Sequence, residues 1–463
     1  MRVKCPGRLA VIGWAFLGCT EPVGSAPQEP FALTGLIVFD GTGAPQRTGQ
    51  TIVVDNGLVA YVGPDESAPR PDDIERINLQ GKFAVPGFID VHAHMPAPEH
   101  QPSVLSTLLA FGITTARSTA AVPATGTELR ARLEREELHG PRFLTAGRLI
   151  DGPDSPWGFA VEVATEEEVR AEVARQWEDG VDFIKLYTQI PPQLVAAAIE
   201  EAHARGLKVI GHLGRTTWGE AAAFGIDALT HSFVYGFAHS AVPAPVANQF
   251  AEFFQPNPAF DPALFDDWDA AMDFDAERFA QLAGQLAVRR IALDPNLVLA
   301  EATAWGDDPD VFARLETHLD AVPHPFPHPY SSQWSAADRE AARAAFPRFL
   351  DAIRILHERG VLLTVGTDLQ NPWMTPGVSF HRELQLLVEA GIPAIDVLVI
   401  ATRNGAESLG ILEEAGTIEV GKIADIIVLD DDPLADIGNT RAIYRVVRQG
   451  TLLEPERLLT QND

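Results

Sequence analysis

Hydrophobic and polar positions follow two different patterns along this chain. Near the amino end, Val- and Ile-rich runs such as "LTGLIVFDG" and "TIVVDNGLVAYVG" are punctuated by Gly, Asn and Asp, which is typical of strands in a small sheet. The carboxyl end has the same pattern in "GTIEVGKIADIIVLD" and "AIYRVVRQGTLL". We therefore predict that the two ends pair into one small β-sandwich domain, formed by residues 31–84 and 410–463.

Between these ends, apolar runs that finish in polar residues alternate with amphipathic segments. A helical segment near residues 102–111 follows "FAVPGFIDVHAH", "PPQLVAAAIEEAHARG" follows "FIKLYT", and "SFHRELQLLVEAG" follows "VLLTVGTD". Strands alternating with helices indicate parallel βα units, and their repetition over this length predicts an α/β fold of the (β/α)8 TIM barrel type. The barrel is expected at residues 85–409, with an elaborated insert at 238–345 that is rich in Pro, Asp, Phe and Trp.

Charge limits the partners of the protein. The formal net charge of the 463 residues is −29, and so acidic a surface repels nucleic acid and anionic lipid. We therefore expect a small-molecule substrate and no nucleic acid.

The first residues have the pattern of a bacterial export signal. A cationic start precedes an apolar run at residues 9–17, which is too short to span a bilayer. We predict a signal peptide at residues 1–19, a Pro/Gly/Ser-rich linker at 20–30 and a periplasmic location. The sequence "FLGC" resembles a lipobox, which would make Cys19 a lipid anchor, and plain secretion with cleavage near Ala26 is the alternative. Cys5 and Cys19 are the only cysteines, so the mature chain offers no thiolate ligand to a metal.

Histidine, lysine and aspartate lie at the ends of the predicted barrel strands. The HxH pair (His92 and His94) closes one strand, and further strands carry or end in Lys185, His212, His231 and Asp368. Strand ends of a barrel converge at its carboxyl face, and residues i and i+2 of a strand point to one side. Imidazole and carboxylate ligands suit Zn, Mn, Fe or Co, and this set is sufficient for two hydrolytic cations. Lys185 fits if carbon dioxide converts its amine to an anionic carbamate, which can bridge two metals.

These residues belong to motifs that resemble a known family. The motifs "PGFIDVHAH", "GITTARS", "GVDFIKLY", "GHL", "GIDALTH" and "VGTD" look like the ordered motifs of the amidohydrolase superfamily, in its imidazolonepropionase-like and prolidase-like branch. The resemblance spans roughly residues 31–450 and is weakest at 238–345. Ser118 stands where the family often has Asp, a difference expected to affect the support of the ligands rather than the ligand set.

The resemblance implies the role of each ligand. The HxH pair and Asp368 would bind a buried α cation, His212 and His231 would bind a β cation, and Lys185 would bridge the two as an N6-carboxylated lysine. Zinc is the expected metal, with Mn, Fe and Co as alternatives. The same resemblance predicts homo-oligomers.

The implied function is hydrolysis of a C–N amide bond in a dipeptide, an N-acyl amino acid or a cyclic amide. The resemblance implies that the bound cations would supply an activated hydroxide for attack on the carbonyl, and that Asp368 would transfer the proton to the leaving nitrogen. Tyr187 is a candidate for the substrate or oxyanion contact. His381, Trp218 and Trp373 are further candidate substrate contacts, although packing is an equal interpretation for the two tryptophans. The alternatives are a lactone, ester or phosphoester hydrolase on the same metal site, and a catalytically silent binding protein.

Overall fold

The computed structural model describes residues 29–70, 74–155, 157–231, 240–241, 274–308, 335–371 and 373–460. The predicted signal peptide with Cys19, almost all of the linker and most of the 238–345 insert lie outside these residues. Export, lipidation and the role of the insert therefore remain predictions, as does the oligomeric state. Within the described ranges, no helix combines the length and the apolar character that a membrane crossing requires.

The described chain contains eighteen strands. In chain order they are β1 (Phe31–Val38), β2 (Arg47–Asp55), β3 (Leu58–Pro64), β4 (Glu75–Asn78), β5 (Phe83–Pro86), β6 (Phe88–Ala93), β7 (Ile113–Ser118), β8 (Arg142–Thr145), β9 (Ile150–Asp151), β10 (Val161–Glu162), β11 (Phe183–Leu186), β12 (Lys208–Gly211), β13 (Ala228–Thr230), β14 (Ala292–Asp294), β15 (Leu362–Leu363), β16 (Ile426–Leu429), β17 (Ile443–Arg448) and β18 (Thr451–Leu453).

Most α-helices of the described part alternate with the middle strands, and the last one follows β18. They are α1 (Gln101–Ala110), α2 (Pro123–Glu134), α3 (Glu166–Glu178), α4 (Pro192–Ala204), α5 (Trp218–Phe224), α6 (Ala276–Arg289), α7 (Leu297–Ala304), α8 (Ala336–Glu358), α9 (Val378–Glu389), α10 (Ala394–Val399), α11 (Gly405–Leu409) and α12 (Pro455–Thr460). The helices predicted after the "DVHAH", "FIKLYT" and "VGTD" segments are thus present as α1, α4 and α9.

Strands from both ends of the chain share one sheet. Its order is β18-β17-β16-β5-β1-β2-β3, with β4 beside β1. The junction is the antiparallel pair of β5 and β16, in which Val85 lies opposite Ile427. Buried side chains from both ends, such as Leu33, Ile52 and Val428, pack into one apolar cluster on this sheet. The predicted pairing of the two ends is therefore present, whereas a second sandwich layer remains a prediction.

The middle of the chain forms parallel sheets of the kind found in TIM barrels. One sheet has the order β6-β7-β8 and the other has the order β10-β9-β11-β12-β13-β14-β15. Backbone hydrogen bonds link them on both sides: Asp182 N donates to Thr145 O at 2.9 Å, and Val91 N donates to Val365 O at 2.9 Å. An apolar cluster shared by these strands packs on α11, and its members include Ile89, Leu144, Phe183, Ile210, Ala228, Ala292 and Leu362.

Local signals explain where the helix next to the candidate site begins and ends. The Thr217 side chain accepts a hydrogen bond from Glu220 N, and the Glu220 side chain accepts one from Thr217 N. This capping box satisfies backbone N–H groups at the start of α5. Gly225 ends the helix in the left-handed conformation at φ 92°, which glycine adopts without steric cost. The loop between β12 and α5, which carries His212, is thereby kept short.

Candidate active site

Two imidazoles and a carboxylate meet at the end of β6. His92 lies on this strand, His94 directly follows it, and Asp368 follows β15. Their ligand atoms all lie within 4.8 Å of one another. The Nε2 atoms of His92 and His94 lie 3.2 and 2.9 Å from Asp368 Oδ1. Backbone pairing fixes this approach, because Asp368 N donates to His92 O at 2.7 Å.

The chemistry of these three side chains fits a divalent transition metal. In the described part of the chain, no group donates a hydrogen bond of ordinary geometry to the buried Oδ1 of Asp368, although two ring nitrogens lie beside it. Such crowding of nitrogen and oxygen donors is what a shared cation requires. Burial opposes ionisation, but the nearby imidazoles hold the pKa of Asp368 well below its usual range, so this carboxyl is an anion that can act as a ligand.

Two further imidazoles adjoin this cluster. The His231 ring lies 4.7 Å from the His92 ring and 4.3 Å from the His212 ring. His231 Nε2 lies 3.6 Å from Asp368 Oδ2. Burial, and next the neighbouring His212, lower the pKa of His231 well below its usual value. The ring is therefore neutral, which is the form that binds metal.

Lys185 is buried on β11, next to the strand that leads to His212. Its side chain is almost fully buried, and Nζ donates to Thr230 Oγ1 at 3.2 Å. Thr230 immediately precedes His231, so the amine points toward the imidazole cluster. Within the described ranges, no carboxylate lies at ion-pair distance from Nζ. Burial lowers the pKa of Lys185 to about 7, which makes the neutral amine accessible near neutral pH.

Tyr187 lies on the outer side of the cluster. Its ring contacts the His212 ring edge to face at 4.7 Å, and its backbone N–H donates to Ile150 O at 3.0 Å. The structure thus brings together the HxH pair, Asp368, His231, His212 and Tyr187, with Lys185 on the adjoining strand.

The other predicted substrate contacts lie in different surroundings. Trp218 is fully buried in the main apolar core at the start of α5, which favours packing, and its substrate contact remains a prediction. His381 is buried on α9, where Nε2 donates to Phe111 O at 3.0 Å and Nδ1 accepts from Thr440 Oγ1 at 2.8 Å. Both of its ring nitrogens are thus bonded to protein groups, which favours a structural role, and the substrate contact of His381 remains a prediction. Trp373 is half-buried five residues after Asp368, and its substrate role remains a prediction.

Asp294 and Asp90 support His92 and were missed by the sequence interpretation. Asp294 Oδ2 accepts a hydrogen bond from His92 Nδ1 at 2.6 Å, and both side chains are 1% exposed. Asp90 Oδ1 accepts from His92 N at 3.1 Å, and burial raises the pKa of Asp90 to about 7. A signal for Asp294 existed, because it ends the strand within "IALDPNLVLA" as the metal-ligand candidates end theirs.

The fold and the site together define a class. The parallel sheets of a TIM-barrel-like α/β fold bring imidazoles and a carboxylate to the ends of their strands, as metal-dependent hydrolases do. The amidohydrolase family profile matches residues 83–453. The chain belongs to the amidohydrolase family, and it is a metal-dependent hydrolase that acts on carbon–nitrogen bonds.

Individual relatives agree with this assignment. An imidazolonepropionase of Pseudomonas savastanoi pv. phaseolicola is 24% identical over 400 residues, which cover 83% of this chain and 88% of that protein. Among solved structures, the bottromycin amidohydrolase matches with a TM-score of 0.70 and 23% identity, over 93% of this chain and 88% of that one. An Xaa-Pro dipeptidase with bound methionine in its active site matches with a TM-score of 0.67 and 20% identity, over 92% of this chain and 100% of that one. At these identities the structural matches establish the fold alone.

Proposed function

We propose that this protein is a binuclear metallohydrolase that cleaves an amide bond of a dipeptide, an N-acyl amino acid or a cyclic amide. The observation that carries the proposal is the convergence of the ligand atoms of His92, His94 and Asp368 within 4.8 Å of one another. Zinc is the proposed metal, with Mn, Fe and Co as alternatives that the same donors accept.

The proposal assigns each ligand candidate to one of two cations. The HxH pair and Asp368 would hold the first cation, and His212 with His231 would hold the second. Lys185, as a carbamate, would bridge them. Two observations support this bridge: the amine is buried without a carboxylate partner in the described part of the chain, and a buried ammonium without such a partner is costly. When bound, the cations supply Lewis acidity that activates water and polarises the substrate carbonyl.

The chain's own residues move the proton and orient the substrate. Asp368 is an anion before the reaction starts, so it can accept a proton from the attacking water and return it to the leaving nitrogen. The Tyr187 hydroxyl, on the outer side of His212, can donate a hydrogen bond to the oxygen that develops negative charge, or to a substrate carboxylate.

Arg215 supports a substrate that carries a carboxylate. It lies three residues after His212, and its backbone N–H donates to Thr188 O at 2.7 Å, beside Tyr187. Its side chain is exposed and forms no ion pair with any described residue. In a chain with a net charge of −29, an exposed arginine without an acidic partner among the described residues favours a dipeptide or an N-acyl amino acid over a neutral cyclic amide.

The proposed metal pair requires β6 and β15 to be neighbours. We therefore also propose that β6, β7, β8 and β11 to β15 close into one (β/α)8 barrel, with the sheet from the chain ends as part of a β-sandwich. The bond between Val91 N and Val365 O at 2.9 Å, and that between His94 N and Leu369 O at 3.0 Å, support the closure.

The function is tested by metal analysis and a substrate panel. We expect about two transition-metal ions per chain. We also expect turnover of dipeptides or N-acyl amino acids, and not a protein that hydrolyses only matched lactones or p-nitrophenyl esters. Lys185→Ala should lose most bound metal and activity, and short carboxylic acids should restore part of both. Asp368→Asn should lower kcat by several orders of magnitude because it removes the proton acceptor.

The matched control is His203→Gln. His203 is a helical histidine paired with Asp227 at 2.9 Å, and its replacement should leave metal content and kcat unchanged. Fewer than one tightly bound metal per chain, or turnover of esters and lactones without any amide, would contradict the proposed function. Full activity of Lys185→Ala without added acids would contradict the bridge.

A further inference from the structure

A row of aromatic rings runs outward from the imidazole cluster. We call His212, Tyr187, Trp157 and Phe159 the aromatic row. The Tyr187 ring lies 4.7 Å from the His212 ring, the Trp157 ring lies 6.5 Å from the Tyr187 ring, and the Phe159 ring lies 5.6 Å from the Trp157 ring. Its inner end adjoins the buried His231, whereas Phe159 is 54% exposed. The row therefore joins the proposed metal centre to the surface.

Hydrogen bonds hold the backbone of the loop that carries the outer rings, on which Phe159 is exposed and Trp157 is half-buried. Arg148 donates two hydrogen bonds to Phe159 O, from Nε at 3.2 Å and from Nη2 at 2.9 Å. Ala160 N donates to Trp157 O at 2.9 Å, and Val161 N donates to Leu149 O at 2.7 Å. Aromatic side chains on a loop whose backbone is held in place offer a preformed contact surface, which loses little conformational entropy when a ligand binds.

We propose that the aromatic row is a subsite for an aromatic or large apolar group attached to the scissile amide. The substrate class would be N-aroyl or N-arylacyl amino acids, or dipeptides with an aromatic residue. Aromatic rings stack favourably edge to face or offset at the spacings seen along this row. The inference rests on the proposed function, because the row gains meaning as a subsite only if the reaction occurs at His212 and its neighbours.

The experiment compares kcat/KM for the N-benzoyl and N-acetyl forms of one amino acid on the metal-loaded full chain. Burial of a phenyl ring should give the wild type a preference for the benzoyl form of about tenfold or more. Phe159→Ala and Trp157→Ala should each reduce this ratio by about fivefold, mainly through KM. The control is Trp177→Ala on α3, a tryptophan that is 47% exposed and lies outside the row, and it should leave the ratio unchanged.

The outcomes separate this inference from the proposed function. If amides are hydrolysed but the ratio is the same in the wild type and in both variants of the row, the subsite is overturned and the proposed function stands. If neither amide is hydrolysed, the subsite is tested by binding alone. Equilibrium dialysis then measures the affinity of the metal-loaded protein for the same two compounds. Tighter binding of the benzoyl form that Phe159→Ala weakens would support the subsite, and equal binding of both compounds would overturn it.

Discussion

At the scale of single residues, His92 is held in place through its Nδ1 atom. Asp294 Oδ2 lies 2.6 Å from Nδ1, so Nδ1 carries the proton, and the lone pair of Nε2 faces the side of Asp368, 3.2 Å away. Among metal sites, this carboxylate–histidine arrangement sets the tautomer and ring orientation of the ligand. Asp294 is thus a positioning residue that acts through His92.

The Asp294→Asn variant tests this role. An amide still fits the space but supplies no charge to the imidazole, so we expect the affinity for metal to fall by about 10–100-fold while the fold persists. Competition with a chelator measures the affinity, and circular dichroism monitors the fold. Asp227→Asn is the matched control, because it alters a second aspartate–histidine pair that lies outside the site. Equal metal affinity of Asp294→Asn and the wild type would show that Asp294 does not position His92.

At the scale of elements, the strand ends must approach one another closely for the ligands to meet. The extension that follows β15 runs against β6 at Gly366, where an added Cβ would lie 2.5 Å from His92 Cβ and 2.9 Å from Asp294 Oδ2. Neither neighbour can withdraw easily, since both are buried and bonded to each other. Glycine is therefore required at this position by contact between two strands rather than by its own backbone conformation.

The Gly366→Ala variant should both destabilise the protein and displace His92. Overpacking at this point should cost about 1–3 kcal/mol of unfolding free energy, and metal affinity should fall with it. Gly284→Ala is the control, because Gly284 lies within α6 with no atom within 4 Å of its added Cβ, and alanine should stabilise that helix by about 0.5–1 kcal/mol. Urea unfolding measures both changes. An unaltered midpoint and metal affinity for Gly366→Ala would contradict the close approach.

At the scale of the whole molecule, His381 joins three separate segments. It lies on α9, donates to Phe111 O after α1, and accepts from Thr440, which precedes β17. Burial lowers the pKa of His381 to about 3, so the folded protein holds a neutral ring. The unfolded chain binds this proton with a pKa of about 6.5. Between these two values the unfolded state takes up more protons, so stability must fall as the pH decreases from about 6.5 toward 3.

The expected size of this effect can be measured with the metal-stripped protein. Between pH 7 and pH 5, the titration of His381 should remove about 2 kcal/mol of unfolding free energy. His381→Gln keeps a hydrogen-bond donor and an acceptor but cannot titrate. Between the two pH values, the unfolding free energy of this variant should therefore fall less than that of the wild type, by that amount. Urea unfolding at the two pH values gives both numbers. The same pH dependence in the variant and the wild type would exclude His381 as the acid-sensitive group.

Much of this protein was predictable from sequence because its signals are local. The alternation of strands and helices predicts the parallel sheets, and the i, i+2 spacing of the HxH pair predicts that both rings face one side. The sequence places His212, His231 and Asp368 at the ends of predicted strands, and that placement alone predicts that they meet at one face. Strand ends converge in any barrel, so this prediction does not depend on the details of packing.

The tertiary structure alone decided which distant side chains touch. Asp294 reaches His92 across 202 positions of chain, and no periodicity encodes that contact. Trp218 and His381 have the residue types of a pocket but lie in the core, because helix packing covers them. Trp157 and Phe159 form the aromatic row only because hydrogen bonds from Arg148 and within the loop fix its path. Hydrophobic patterning determines which positions are buried, whereas the choice of partner depends on how close-packed elements fit together.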